Sequence, residues 1–186
     1  MEIVNLPLPG LKLLRPSVFK DERGFFVETW SESRLRQLGF LVEFVQDNHS
    51  RSTKNAVRGL HFQRASADGP GQAKLVRCAG GSIFDVAVDV RPWSKTFGKW
   101  HGVTLDAEKH EQLFIPTGFA HGFCVLSDVA DVMYKCSAPY NATTEAGFFW
   151  NDPDVGISWP IDQKSALLSA RDQGAKCLKD IHEWLT

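Results

Sequence analysis

The 186-residue chain has no apolar run of 18 residues, so no stretch of it reads as a membrane-spanning helix. It has no excess of either charge. Lys plus Arg number 21 against 22 for Asp plus Glu, a formal net charge of -1, which gives no general attraction to nucleic acid or to an anionic membrane surface. It has no HxH unit and no CxxC pair, the spacings that announce the commonest histidine-metal sites, zinc knuckles and redox dithiols. Gly and Pro together make up only 24 residues (15 and 9), too few for a low-complexity or collagen-like chain. The first residues, MEIVNLPLPGLKLLRPS, carry Glu2 and prolines within the apolar stretch and read as no secretory leader. The four cysteines, Cys78, Cys124, Cys136 and Cys177, are widely spaced. The first three sit in apolar, strand-like runs and are expected to be buried free thiols of a protein in the reducing cytoplasm. The sequons at Asn48 and Asn141 then carry no sugar.

What is present is a succession of short strand signals. Residues 25–29, 40–45, 74–78, 83–90, 101–105, 111–115, 122–126 and 131–136 are rich in β-branched and aromatic types and are separated by turn formers such as Gly69-Pro70-Gly71, Gly80-Gly81 and Pro116-Thr117-Gly118. The clearest is Ile83 to Val90, with Phe84, Val86, Val88 and Val90 on one face and Asp85, Ala87 and Asp89 on the other. Ser31 is placed to cap a short helix ending at Gly39, and residues 175–185 align Leu178, Ile181 and Leu185 on one helical face. The length suits one domain over residues 1–186, able to bury roughly 70% of the surface its unfolded chain exposes. Many short strands with few helices imply an all-β sandwich or barrel.

Two histidine segments stand out. In VRGLHFQ, His61 follows Arg58 on a strand; it reads either as a core histidine bonded to backbone or as a general base. In IPTGFAHGF, His121 follows a tight turn, a shape found in cupin barrels, where such a histidine often binds metal. Without HxH and a closely following Glu, two isolated histidines make a poor metal site, which normally needs three or more protein ligands. Lys74 and Tyr134, taken singly, read as surface groups, and Asp172 reads equally as a solvated charge beside Arg171.

Taken together the motifs DERGFFVETW, QDNHSRS, VRGLHFQ, QAKLVRCAGGSIFDVAVDVR, SKTFGKWHGVTL, QLFIPTGFAHGFCVLSD, YKCSAPYNATTE, WNDPDVGISWP and LSARD occur in order between residues 21 and 172. In them the chain closely resembles the dTDP-4-dehydrorhamnose 3,5-epimerases over about residues 3 to 180. The resemblance implies a cupin jelly-roll β-barrel with short peripheral helices, a homodimer, no metal or other cofactor, and a dTDP-4-keto-6-deoxy sugar as substrate. It implies His61 as general base paired with Asp172, Tyr134 as proton donor, and Lys74 near the keto oxygen. Arg23, Glu28, Gln46, Asn48, Arg58, His121, Glu145 and Arg171 match substrate contacts, and Tyr140 matches an aromatic residue that stacks on thymine. Phe62 stands where Tyr is common, Arg171 where Lys is common, and Ala79-Gly80 in place of a bulkier pair. Relatives that epimerise only C3 or only C5 share the same His, Asp and Tyr. A mono-epimerase is therefore the first alternative. A cupin metalloenzyme and a non-catalytic sugar-nucleotide binding module are the more distant ones.

Overall fold

The computed structural model describes residues 1–67, 69 and 71–184, with the backbone alone for 182–184. Thirteen strands run β1 (Glu2–Asn5), β2 (Lys12–Arg15), β3 (Val18–Asp21), β4 (Gly24–Val27), β5 (Gln46–Thr53), β6 (Val57–Gln63), β7 (Lys74–Gly80), β8 (Ser82–Asp89), β9 (Trp100–Asp106), β10 (Gln112–Ile115), β11 (Phe119–Val125), β12 (Val129–Cys136) and β13 (Glu145–Gly147). Two short α-helices, α1 (Glu32–Gln37) and α2 (Ala170–Gln173), and two 3₁₀ segments complete the described elements.

Two antiparallel sheets face one another in the cupin jelly roll. One has the order β1-β2-β10-β7-β12-β5 and the other β13-β6-β11-β8-β9, while β3 and β4 form a separate hairpin. The order follows from alternation. In β7 and β12, Val76, Cys78, Ala130 and Val132 point inward and meet Ile83, Ala87, Phe119, Phe123 and Val125 of the other sheet in one buried cluster. The opposite faces are covered as well. On the five-stranded sheet, Leu60, Val86, Val88 and Phe148 pack under Val155, Ile157, Leu178 and Ile181 from the C-terminal segment. On the six-stranded sheet, Leu14, Leu75 and Phe114 pack under Leu35 of α1 and the aromatic residues Phe40, Phe44 and Trp30.

Those outer layers account for several departures from the sequence expectations. Residues 40–45 do alternate, with Phe40, Val42 and Phe44 turned inward and Leu41, Glu43 and Val45 outward, but they form no strand. They lie as an extended cover on a sheet face, so no neighbouring strand supplies a ladder. Residues 25–29 shorten to β4 in the isolated hairpin. The strand expected at 122–126 begins at Phe119, directly after the turn at Gly118, which puts His121 mid-strand. Ser31 occupies the N-cap position of α1 without a side-chain cap bond. The C-terminal segment is a 3₁₀ helix from Leu178 to Trp184 in place of the expected α-helix. Its three-residue repeat still buries Leu178 and Ile181 together, and Asp152 anchors its start by accepting from the Leu178 N–H at 2.6 Å. Leu185 lies outside the described residues. The polar strand β5, absent from the sequence expectation, has no apolar face because its inward positions line the cavity described below.

Strand β8 is buried on both faces. Its apolar row, Val86, Val88 and Val90, faces the C-terminal cover. The row holding Asp85 and Asp89 faces the sandwich interior, and both carboxylates are fully buried. All three cysteines expected to be buried are buried and free, and burial pushes the Cys78 and Cys124 thiols up to about 11 and about 12.

Close approach of β6 and β11 sets the position of His61. A Cβ on Gly122 would lie 2.8 Å from Leu60 Cδ2, 2.9 Å from the Arg58 carbonyl oxygen and 3.1 Å from Gly59 Cα. Two of those neighbours are backbone and cannot swing away. Gly122→Ala is therefore expected to cost about 1–3 kcal/mol by overpacking, lowering the melting midpoint by roughly 2–4 °C per kcal/mol. Thermal denaturation followed by circular dichroism checks this; an unchanged midpoint would mean that the two strands are not held at this separation.

Candidate active site

One end of the sandwich interior is polar. By strand alternation, Gln46, Asn48, Lys74, Tyr134 and Cys136 project inward from one sheet, and His61, Gln63, Asp85 and His121 from the other. A cavity of 640 Å³ opens there, walled by Arg58, His61, Lys74, His121, Tyr134, Arg171 and Asp172. A second cavity of 320 Å³ shares His61, Lys74 and Tyr134 and adds Gln46, Asn48, Tyr140 and Glu145.

His61 is held by a residue 111 positions later. Its Nε2 lies 2.6 Å from Asp172 Oδ1. Asp172 reaches it because Ser169 caps α2, its Oγ accepting from the Asp172 N–H at 3.1 Å, and the helix lies against β6 in the C-terminal layer. Burial opposes the Asp172 charge, but the bond and charge of His61 together with the bonds from Ser169 and the Gly59 backbone outweigh it, and the carboxyl stays below its ordinary pKa. Asp172 is thus a fixed, ionised acceptor. With Nε2–H donating to it, the ring leaves Nδ1 as its free nitrogen.

Across the cavity, Lys74 Nζ lies 6.0 Å from the centre of the Tyr134 ring. Burial pushes the lysine pKa down, partly offset by Cys136, Asp85 and Glu145. Burial pushes Tyr134 up, so its hydroxyl holds its proton at neutral pH. His121 sits directly opposite His61 in the β6–β11 register. Its Nε2 is 2.5 Å from Asp85 Oδ1.

The rim is a second polar chain. Arg171 Nη1 is 2.7 Å from Glu145 Oε1, the Tyr140 hydroxyl donates to Glu145 Oε2 at 2.9 Å, and the Tyr140 N–H donates to Gln46 Oε1 at 3.0 Å. Gln46 donates in turn to Asn48 at 3.1 Å. Burial opposes the Glu145 charge, yet the bonds from Arg171 and Tyr140 keep its pKa low. Arg58 donates to Ser52 Oγ at 2.9 Å at the mouth of the larger cavity. The Tyr140 ring is exposed.

Arg23 and Glu28 do not join the others within one chain. Arg23 tips the β3–β4 hairpin, 85% exposed and paired with Asp21, and Glu28 pairs with Arg34 at 3.1 Å. Phe62 packs in the outer cluster with Phe148. Asp85, Ser52 and Ser169 were not foreseen. The one available signal was an aspartate within the apolar run IFDVAVDV, which the alternation placed with Ala87 and Asp89 on the face opposite the valines. Among the described residues no three His, Cys, Asp or Glu side chains gather where they could hold a metal ion.

The arrangement offers a base with a fixed partner, a protonated phenol and an ammonium around one cavity, which suits proton removal beside a carbonyl. The sequence profile described as dTDP-4-dehydrorhamnose 3,5-epimerase matches residues 5–180. A Neisseria gonorrhoeae protein named dTDP-4-dehydrorhamnose 3,5-epimerase is 51% identical over 176 residues, 95% of this chain; the chain spans about half of that relative's length, the match covering 52% of it. A Salmonella typhimurium protein of the same name is 50% identical over 179 residues, 96% of each chain. Among solved structures, the dTDP-6-deoxy-D-glucose-3,5-epimerase from Legionella pneumophila in complex with dTDP-4-keto-L-rhamnose superposes with a TM-score of 0.92 at 44% identity, covering 99% of this chain and 96% of its own.

Burial gives His121 a measurable signature. It pushes the imidazole pKa below its ordinary value, against the pull of Asp85, so the ring stays neutral where the unfolded chain's histidine would protonate. Below about pH 6.5 the unfolded state then binds the extra proton, and stability falls as pH is lowered from 7 toward 5. Histidine-ring NMR should show His121 taking up its proton at lower pH than an ordinary histidine, and urea midpoints should drop between pH 7 and 5; a His121 that titrates at or above the ordinary value would contradict this.

Proposed function

The chain belongs to the dTDP-4-dehydrorhamnose 3,5-epimerase family and is a dTDP-sugar epimerase; we propose that His61, Asp172, Tyr134 and Lys74 carry its reaction on a dTDP-4-keto-6-deoxyhexose. The observation that carries this reading is the His61–Asp172 bond of 2.6 Å across a cavity from Tyr134 and Lys74.

The chemistry follows from the ketone. A 4-keto group acidifies the hydrogens on C3 and C5. The His61 Nδ1 lone pair takes one of them, and the electrons pass to O4 as an enolate. Asp172 keeps the ring in the Nε2–H tautomer and stabilises the imidazolium that forms. The Lys74 ammonium meets the charge at O4, where it develops. Tyr134 returns a proton to the opposite face of the carbon; before the next cycle solvent reprotonates Tyr134 and takes the abstracted proton from the His61 imidazolium. Repeated at the second carbon, the sequence inverts both centres. Arg58 and Arg171 supply donors for the diphosphate sugar, an arginine fork matching two phosphate oxygens together, and His121, whose one N–H is held by Asp85, offers its other ring nitrogen as an acceptor to the substrate. The exposed Tyr140 ring takes the thymine face, a contact favourable by ~1–3 kcal/mol in comparable systems. Gln46, Asn48 and Glu145 bind along the same rim.

Arg23 and Glu28 belong to the same substrate site through a second copy of the chain. The hairpin that carries Arg23 exposes Phe19, Phe25 and Phe26, each at least 60% accessible, which is unusual for a surface that stays in water. In a homodimer that apolar hairpin is covered and the partner's Arg23 reaches the substrate. Unpaired cysteines suit the cytoplasm, and no helix among the described residues is long and apolar enough to cross a membrane.

Incubation with dTDP-4-keto-6-deoxyglucose in heavy water, read by NMR, is expected to place deuterium at both C3 and C5. Label at one carbon makes it a mono-epimerase, and label at neither ends the epimerase reading. Removing the base by His61→Ala should lower turnover by about 10²–10⁴-fold, with the melting midpoint measured alongside. Light scattering should give twice the 20.8 kDa chain mass. Phe26→Asp should yield monomers of much reduced activity; an active monomer would count against the partner's hairpin.

A further inference from the structure

Strand β8 buries two aspartates on the same face, four residues apart, and treats them differently. Asp89 is saturated. Its Oδ1 accepts from the Arg91 N–H and Nε, and its Oδ2 accepts from Arg91 Nη2, Ser94 Oγ and Thr96 Oγ1. Asp85 is equally buried but has one partner. Its Oδ1 meets His121, and its Oδ2 is buried with no hydrogen-bond partner. Leaving a buried carboxylate oxygen unmet costs several kcal/mol in general. Such a group is retained where its charge serves something nearby.

Charged and titratable groups facing that region come from six elements. Cys136 and Tyr134 stand on β12, Lys74 on β7, His61 and Arg58 on β6, His121 on β11, Glu145 on β13 and Asp172 on α2. Asp172 is engaged by His61, Glu145 by Arg171 and Tyr140, and Arg58 by Ser52. Of the groups facing that region, Lys74 is the cation without a hydrogen bond or ion pair to the described residues, and Asp85 is the carboxylate with a bare oxygen. Both project into the same polar end of the barrel.

We propose that Asp85 is a positioning residue of the epimerase site, whose carboxylate orients His121 through Oδ1 and, through the charge on its unbonded Oδ2, keeps Lys74 as an ammonium aimed at the reacting carbonyl. The inference rests on the role given to Lys74 above and extends it to a side chain that touches no substrate. The barrel wall that desolvates Lys74 favours the neutral amine, and a neutral amine stabilises an enolate poorly. Asp85 opposes that tendency from the facing sheet. Asn at this position would keep the acceptor for His121 and remove only the charge.

The test is Asp85→Asn, with lysine ¹³Cε NMR titration of Lys74 and the pH dependence of kcat measured on the same protein. Lys74 is expected to lose its proton about one pH unit earlier than in the wild type. The loss of turnover should then be about tenfold deeper at the alkaline end than at the acid end. A Lys74 titration that does not move, with a loss of activity uniform in pH, would overturn the proposal in favour of a structural role. His121→Gln separates the two functions of the carboxylate, because it deletes the imidazole and leaves the charge. Lys74 should titrate there as in the wild type; a displacement as large as in Asp85→Asn would mean that Asp85 acts only through His121. If Asp85→Asn does not fold, Asp85→Glu is read in its place: a Lys74 titration overlaying the wild type supports the proposal, and a displaced one refutes it. Wild-type protein that exchanges no deuterium would remove the epimerase reading without altering the Lys74 titration, so the two failures are distinguishable.

Discussion

Burying charge between two β-sheets is costly, and this protein keeps His61, Lys74, Asp85 and His121 there. Each needs an answering group: His61 has Asp172 and His121 has Asp85, whereas Lys74 has only the charges that face it across the cavity. The organisation of the barrel follows from that requirement. One end of the interior is closed by Val76, Ile83, Phe119, Phe123 and Val132, which exclude water and hold the strands at fixed spacing. The other end is left polar, so that histidines, a lysine and a phenol can face one cavity at low dielectric, where their interactions are stronger than in water.

The site depends on layers outside the sandwich as much as on the sheets. Asp172 comes from the C-terminal cover, held down by the packing of Leu178 and Ile181 and by the anchor at Asp152. The same cover buries the apolar row of β8, and that burial turns Asp85 and Asp89 inward. A single choice of face thus places one aspartate against His121 and the other in a purely structural net with Arg91, Ser94 and Thr96. Catalytic electrostatics and core packing share a strand. A change in one is transmitted to the other through the side-chain alternation of that strand.

Much of this was legible before any coordinates. Alternation in Ile83 to Val90 marked a strand, and eight of the nine motifs that carry the family resemblance coincide with strands or with the segments that line the cavity. What sequence reading missed has a common cause. It treats a polar residue in a strand as solvent-facing, because a strand commonly has one wet face. Here β5 is polar on its inward face because that face lines a cavity, and β8 is polar on its inward face because both of its sides are buried. The reverse error occurs at residues 40–45, where a strand-like alternation covers a sheet without pairing to it.

By itself the sequence determined the class of fold, the identity of the chemical groups and the family to which they belong. Those properties are carried by local pattern and by residue type, which survive in one dimension. The tertiary structure alone decided which groups meet. The bond from His61 to Asp172 spans 111 residues, and the bond from His121 to Asp85 spans 36 in the reverse chain direction. Pairings of that range depend on strand register and on how an outer layer docks, and neither leaves a periodic trace in the chain. The structure also separated Arg23 and Glu28 from the remaining site residues, since a hairpin with three exposed phenylalanines reaches away from its own barrel.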